Sequence, residues 1–312
     1  MFNKLLVPLD GTTEAAAALP AATTLARSTG ASITLVRVPV SDGDPAEALM
    51  GDHIAEDELR ATAEELAAGG LKVDWVIGTP PVPRFIIDAA AARDADAIVM
   101  ATHGRTGLAR AFAGSAFERV VADSGRLVLL LKPDGKRLDR IETLLVPVDG
   151  TAGGALALGA AVALAHATEA RLVLVDVVPP TPPWMYGGVG YAPLLYVDPA
   201  WDEEALRSAE TYVEGLRKRL QESGLQVETK AVRGEVAATI DVVAEQTSAD
   251  MIVMSTHALT GPARAVLGSV ADSVVRTGHR PVLLVHRPDG LLGGTEDVLE
   301  PRSEVAGRAK VD

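Results

Sequence analysis

The sequence predicts an α/β protein of two tandem doubly wound domains, each a five-stranded parallel sheet in the order 3-2-1-4-5 flanked by helices. Three observations lead there. The chain has 312 residues, enough for two domains at about 150 residues each, and two buried cores are expected. It repeats itself: "LLVPLDGT" at 5–12 returns as "LLVPVDGT" at 144–151, and "VMATHGRTGLARAFAGS" at 99–115 returns as "VMSTHALTGPARAVLGS" at 253–269. Within each copy, short, nearly continuous apolar runs alternate with Ala-rich stretches, the pattern of parallel strands covered by helices on both faces.

In the first copy the apolar runs "KLLVPL", "SITLVRV", "KVDWVI", "DAIVMA" and "RLVLLL" read as strands, with helices over 13–28, 52–69, 81–93 and 115–124. The second copy supplies "TLLVPV", "RLVLVDVV", "QVETKAV", "DMIVMS" and "PVLLVH", again with helices between. Asp10 and Asp149 lie 139 positions apart, as do Val38 and Val177, whereas His103 and His257 lie 154 apart. The second copy has therefore gained residues between those landmarks. The expected place is "PPTPPWMYGGVGYAPLLYVDPAW" at 179–201, rich in Pro, Gly and aromatics without helical period. It reads as a long connection packed by its own aromatics, with a lid or partner-contact loop as the alternative. Domain 1 is expected over 1–137 and domain 2 over 138–288. The tail at 289–312, with Gly, Pro and mixed charge, is expected to be disordered.

Composition narrows the function. Hydrophobic residues at 48% and charged residues at 23% suggest neither disorder nor a membrane protein, and the apolar runs are too short to span a bilayer. The start "MFNKLLVPLDG" does not resemble a secretion signal, so a cytoplasmic location is expected. The absence of cysteine excludes disulfides, thiolate zinc sites and cysteine nucleophiles. A net charge of -13 disfavours nucleic acid as a partner, because such binding depends on Lys and Arg neutralising phosphates.

In an open parallel sheet, ligands sit beyond the carboxyl ends of the strands where the winding reverses. With the order 3-2-1-4-5, the first and fourth strands are neighbours at that reversal. Asp10 then shares a crevice with the loop that begins at Thr102 and His103, placed to accept from a ribose hydroxyl. The loop leads into a helix beginning near Gly114 and Ser115, whose free N–H groups and positive dipole end favour phosphate oxygens. Glycine there lets phosphate approach the amides, and Ser115 adds a hydroxyl donor.

On these residues the chain resembles a tandem universal stress protein, over roughly residues 1–133 and 140–288. Nucleotide-binding members of that family carry G-x2-G-x9-G-[S/T] after strand four and an Asp after strand one. The first copy reads Ala101, Gly104, nine residues, then Gly114 and Ser115; the second reads Ser255, Ala258, nine residues, then Gly268 and Ser269. The resemblance implies ATP, accompanied by Mg2+, with the first copy the better-matched site. It places Asp10 and Asp149 on the ribose side and the backbone of Val38 and Val177 against adenine. Gly104, Gly114, Ser115, Gly268 and Ser269 fall on the phosphate side, where the methyl of Ala258 stands against phosphate approach in the second copy.

Other residues have plainer readings. His103 and His257 read as strand-end histidines bonded to their loops. Arg110, with its equivalent Arg264, either reaches phosphate or ion-pairs on the loop. Arg105 has no counterpart, since Leu259 replaces it. A Ser115–His103–Asp10 triad lacks the G-x-S-x-G elbow, the G-x4-G-K-[ST] phosphate loop is missing, and no H-E-x-x-H offers a metal site. No catalytic residue is assigned, and at most weak ATP hydrolysis is expected.

By this order the fifth strands, "RLVLLLK" and "RPVLLVH", fall at sheet edges, and long apolar edges invite pairing or aggregation. Within one chain each can cover the other, giving an internal pseudo-dimer by side-chain packing or strand pairing; a homodimer of tandem chains is a further expectation. The leading function is an ATP-binding sensor or regulator, the word stress coming only from the resemblance. The alternatives are a scaffold that has lost nucleotide and works through the 179–201 loop, and a slow ATPase or nucleotide-dependent transferase.

Overall fold

The structure is a computed structural model that describes residues 1–39, 45–102, 117–180, 199–256 and 267–286. The first copy runs β1 (Lys4–Leu9), α1 (Thr13–Ala16), α2 (Ala18–Thr29), β2 (Ser32–Arg37), α3 (Pro45–Ala68), β3 (Val73–Ile77), α4 (Val82–Ala92), β4 (Ala97–Ala101), α5 (Phe117–Asp123) and β5 (Leu127–Leu131). The second runs β6 (Thr143–Pro147), α6 (Ala152–Thr168), β7 (Arg171–Val178), α7 (Pro199–Glu222), β8 (Val227–Arg233), α8 (Val236–Gln246), β9 (Met251–Ser255), α9 (Ser269–Thr277) and β10 (Val282–Val285).

Two helices differ from expectation. The stretch expected as one helix over 13–28 is broken at Ala17 into α1 and α2. The helix expected from 52 begins at Pro45, whose fixed φ suits the first helical turn, and Gly51 lies inside it. α3 and α7 are each 24 residues long and start 154 positions apart, so the additional residues of the second copy fall between β7 and α7. The tail expected to be disordered lies outside the described residues.

The strands form one ten-stranded sheet in the order β3-β2-β1-β4-β5-β10-β9-β6-β7-β8. Each half has the order 3-2-1-4-5 with parallel neighbours. The halves meet where β5 and β10 pair antiparallel, Leu129 opposite Leu283. The internal pseudo-dimer is thus made by strand pairing.

There are two hydrophobic cores, divided by face of the sheet rather than by copy. One joins Leu25 and Leu59 to Leu164 and Leu216 across Leu129 and Leu283; the other joins Ile86 and Val120 to Ile240 and Val274 across Leu130 and Leu284. Successive residues of a strand point to opposite faces, so a continuous sheet sorts its core by alternation and not by domain.

Polar contacts brace the same junction. The Lys136 N–H donates to the His279 carbonyl at 2.6 Å, its Nζ reaches Asp250 Oδ1 at 3.3 Å, and the Lys132 ammonium donates to the Arg276 carbonyl. Gly135 is required beside them, since a Cβ there would stand 2.7 Å from the His279 carbonyl oxygen. Buried Asp250 also accepts from the Glu142 and Thr143 N–H groups at 3.0 and 3.1 Å, as Asp96 does from Asn3 and Lys4 at 2.6 and 3.2 Å. The outer edge strands carry charge instead, Asp74 on β3 and Glu228, Lys230 and Arg233 on β8, which discourages further edge pairing.

Shared cores predict a single unfolding event. Tryptophan fluorescence and far-UV circular dichroism should trace coincident transitions, and Leu129→Ala should lower stability by about 2–5 kcal/mol while keeping them coincident. Two resolved transitions would show that the halves unfold separately.

Candidate functional site

The loop after the first strand is built identically in both copies. Asp149 Oδ1 accepts from the Thr151 N–H at 3.0 Å and from its hydroxyl at 2.6 Å, while Thr151 Oγ1 accepts from the Gly154 N–H at 3.3 Å and caps α6. Asp10 Oδ1 accepts from the Thr12 N–H and hydroxyl at 2.9 and 2.5 Å, and Thr12 Oγ1 accepts from the Ala15 N–H at 3.1 Å. The glycine between them turns left-handed, with φ of 84° at Gly11 and 75° at Gly150, a conformation that favours glycine. The clamp occupies Oδ1 of each carboxylate, so Oδ2 is the oxygen that remains for a ligand.

β6 and β9 are adjacent in the sheet, and beyond their carboxyl ends lies a cleft of about 170 Å³. Its floor is Pro147, Val148 and Asp149, with Gly154 of α6 beside the carboxylate. Val177 of β7, Met254 of β9, and Val236 and Ile240 of α8 form an apolar side. Ser255 and the start of α9, from Gly268 to Ala271, form the remaining wall. Gly268 caps α9 without a side-chain hydrogen bond, and a helix start of this kind presents first-turn N–H groups that suit an anionic acceptor.

Of the residues expected at the second site, Asp149, Val177, Gly268 and Ser269 line this one cleft. In the first copy, Asp10 follows β1 and buried Val38 follows β2. Gly104, Arg110, Gly114 and Ser115 lie outside the described residues, as do His103, His257, Ala258 and Arg264. The loops that carry them are anchored at their starts: Thr102 donates its N–H to the Leu131 carbonyl at 2.7 Å, and Thr256 donates likewise to Val285 at 3.0 Å. Thr256 Oγ1 also lies 3.0 Å from His286 Nδ1.

The α8 wall was missed in the sequence. Its signal was present, since Val236 and Ile240 stand four apart on one helix and repeat Val82 and Ile86, but that spacing equally describes a core face. Ile240 is followed by Asp241, whose carboxyl is raised above its ordinary value of 3.8 by burial; the Thr277 hydroxyl donates to it at 3.3 Å, and His279, Lys132 and Arg280 pull the other way. Among the described residues no group of three or more His, Asp or Glu is placed to hold a metal ion, and no helix is long and apolar enough to cross a membrane.

Comparison with known proteins adds the lineage. A family model described as the universal stress protein family matches residues 1–132 and again 140–286. A universal stress protein of Methanocaldococcus jannaschii is 31% identical over 148 residues, 46% of this chain and 82% of that protein. Universal stress protein YxiE of Bacillus subtilis is 31% identical over 146 residues, 46% of this chain and 97% of that protein. A solved universal stress protein from Archaeoglobus fulgidus, 19% identical, superimposes with a TM-score of 0.70 over 92% of this chain and 100% of its own, and so shares the fold across both copies.

Asp241 gives the site's surroundings a definite pH signature. Its folded pKa lies above the unfolded one, so its favourable contribution is complete below the ordinary aspartate range and is lost as pH rises through the folded value. Asp241→Asn should therefore melt above the parent at neutral pH, with the difference closing as pH is lowered below about 4. A variant less stable than the parent at pH 7 would reverse the sign.

Proposed function

The chain belongs to the universal stress protein family, twice over, and from that premise we propose that it is an adenine-nucleotide-binding regulator rather than an enzyme. The observation that carries the reading is the convergence of Asp149, Val177 and Ser269 on one cleft. Its apolar side suits a flat heteroaromatic ring, with the Val177 backbone at the ring edge. Asp149 Oδ2 accepts from a ribose hydroxyl, held in place because Oδ1 is tied to Thr151. The first-turn N–H groups of α9 and the Ser269 hydroxyl donate to phosphate oxygens.

ATP is the nucleotide in this reading, and Mg2+ arrives on its phosphates. In the first copy, Asp10 and Val38 follow β1 and β2 as Asp149 and Val177 follow β6 and β7, the family pattern assigns Gly104, Arg110, Gly114 and Ser115 to the phosphate side, and Gly104 ranks that copy ahead on the glycine pattern alone. The described lining of the second cleft contains no Lys, Arg or His to stabilise a transferring phosphoryl group, which favours holding nucleotide over turning it over. Bound nucleotide then alters the shape or partners of the protein. A cysteine-free composition suits a cytoplasmic protein. A homodimer of tandem chains must use a surface other than the β5 and β10 edges, which pair with each other.

Equilibrium binding of ATP to the intact chain tests this. Saturable binding is expected, and Asp149→Ala should weaken the second site by about 10–100-fold, the worth of a hydrogen bond to a charged group. No binding at millimolar ATP would remove the nucleotide and leave a scaffold acting through protein contacts.

A further inference from the structure

We infer that Lys132, a residue of the first copy, is a positioning residue for the second copy's cleft. Through α9 it sets how strongly that cleft prefers a nucleotide over its nucleoside. The inference rests on the nucleotide reading above and adds to it a dependence of one copy on the other.

The antiparallel seam makes the contact. Because β5 runs against β10, the carboxyl end of β5 lies beside the amino end of β10, with Leu130 opposite Val282. α9 ends shortly before β10 and therefore meets the chain that leaves β5. Half-buried Lys132, the residue after β5, donates from its ammonium to the Arg276 carbonyl in the last turn of α9. Carbonyls in the last turn of a helix lack intrahelical partners and carry the negative end of its dipole, so a cation there both bonds and offsets them. The neighbouring cations are engaged elsewhere. Arg280 reaches the Ala249 carbonyl and Glu245, Lys136 reaches the Ala249 carbonyl and Asp250, and the Arg276 guanidinium turns back to Asp272 at 2.7 Å and towards Glu118 at 3.7 Å. Lys132 is the cation that the first copy gives to the end of α9.

That end is tied to the cleft along two helices. α9 is nine residues long, about 13 Å, so its cleft-lining residues Ser269 and Ala271 and its contact with Lys132 belong to one short rod. α8 lies against it: Ile240 lines the cleft, and the next residue, Asp241, has its Oδ2 3.3 Å from Thr277 Oγ1. No slack separates the two helices here, since a Cβ on Gly278 would come within 2.7 Å of Asp241 Oδ1 and 2.6 Å of the Val274 carbonyl oxygen. Removing the ammonium releases one end of the rod and restores the full negative end of its dipole. Only the phosphates address α9; the nucleoside meets Asp149, Val177, Val236 and Met254, which β6, β7, α8 and β9 set.

Calorimetric titration of the full chain with ATP and, separately, with adenosine tests this, each variant being built on Asp10→Ala so that the second cleft is the site reported. Lys132→Met should weaken ATP about threefold to tenfold, the range for a cation at a partly buried helix end, and leave adenosine within about twofold. Lys132→Arg should restore ATP, since a guanidinium also donates to a carbonyl. Lys136→Met removes the same charge from the same link but away from α9, and should leave the ratio of the two affinities unchanged. An unchanged ratio in Lys132→Met, whether both ligands weaken equally or neither does, would overturn the inference and leave nucleotide binding standing. Binding abolished by Asp10→Ala alone would assign the nucleotide to the first copy and overturn it too. A parent chain that takes up neither ligand would overturn the nucleotide reading, and this assignment with it.

Discussion

The antiparallel pairing of β5 with β10 is the contact on which the rest of the molecule depends. Both strands are buried along their length and apolar throughout, and in a lone domain each would present an unpaired edge. Joined in one chain, they make the sheet continuous, and continuity sorts the core by face. Leu129 and Leu283 then belong to one core and Leu130 and Leu284 to the other, so the copies share both. The short link between the copies is stitched down by Lys132, Gly135 and Lys136, and buried Asp250 holds the start of β6 as Asp96 holds the start of β1.

The same pairing decides where ligands can sit. Parallel strands within a half send their carboxyl ends one way, and the antiparallel seam turns the second half around. The reversals of winding order in the two halves consequently lie at opposite ends of the sheet, the cleft of the second copy at one of them. α9 links one crevice to the seam: its first turn lines the second cleft, while its last turn receives the Lys132 ammonium at the Arg276 carbonyl and sends the Arg276 guanidinium to Glu118, 3.7 Å away. The first copy has Ala122 at the position of Arg276, so the guanidinium contact to Glu118 has no mirror image.

Much of this was legible in the residues, because the signals were local. Continuous apolar runs such as "AIVMA" and "MIVMS" mark strands buried on both faces, and the repeated Asp-Gly-Thr marks a turn followed by a capped helix. What escaped was of another kind. The break at Ala17 follows from Pro20, whose missing N–H leaves the Ala16 carbonyl without its helical partner, a signal that the Ala-rich run around it masked, and α3 starts at Pro45 rather than at 52. The sorting of the cores by face depends on a pairing between residues more than 150 positions apart, which periodicity does not encode. In the cleft, the polar residues had a motif to reveal them, but Val236 and Ile240 have the spacing of an ordinary core face, and no motif marked Gly154 as lining.

A crystal structure of the full chain with ATP bears most directly on the central claim, that a continuous sheet forms a nucleotide cleft at the ends of β6 and β9. The account predicts β5 paired with β10, the adenine between Val177 and the α8 side chains, the ribose on Asp149, and phosphates at Ser269. Nucleotide bound away from Asp149 and Ser269, or halves that meet without β5 against β10, would contradict it.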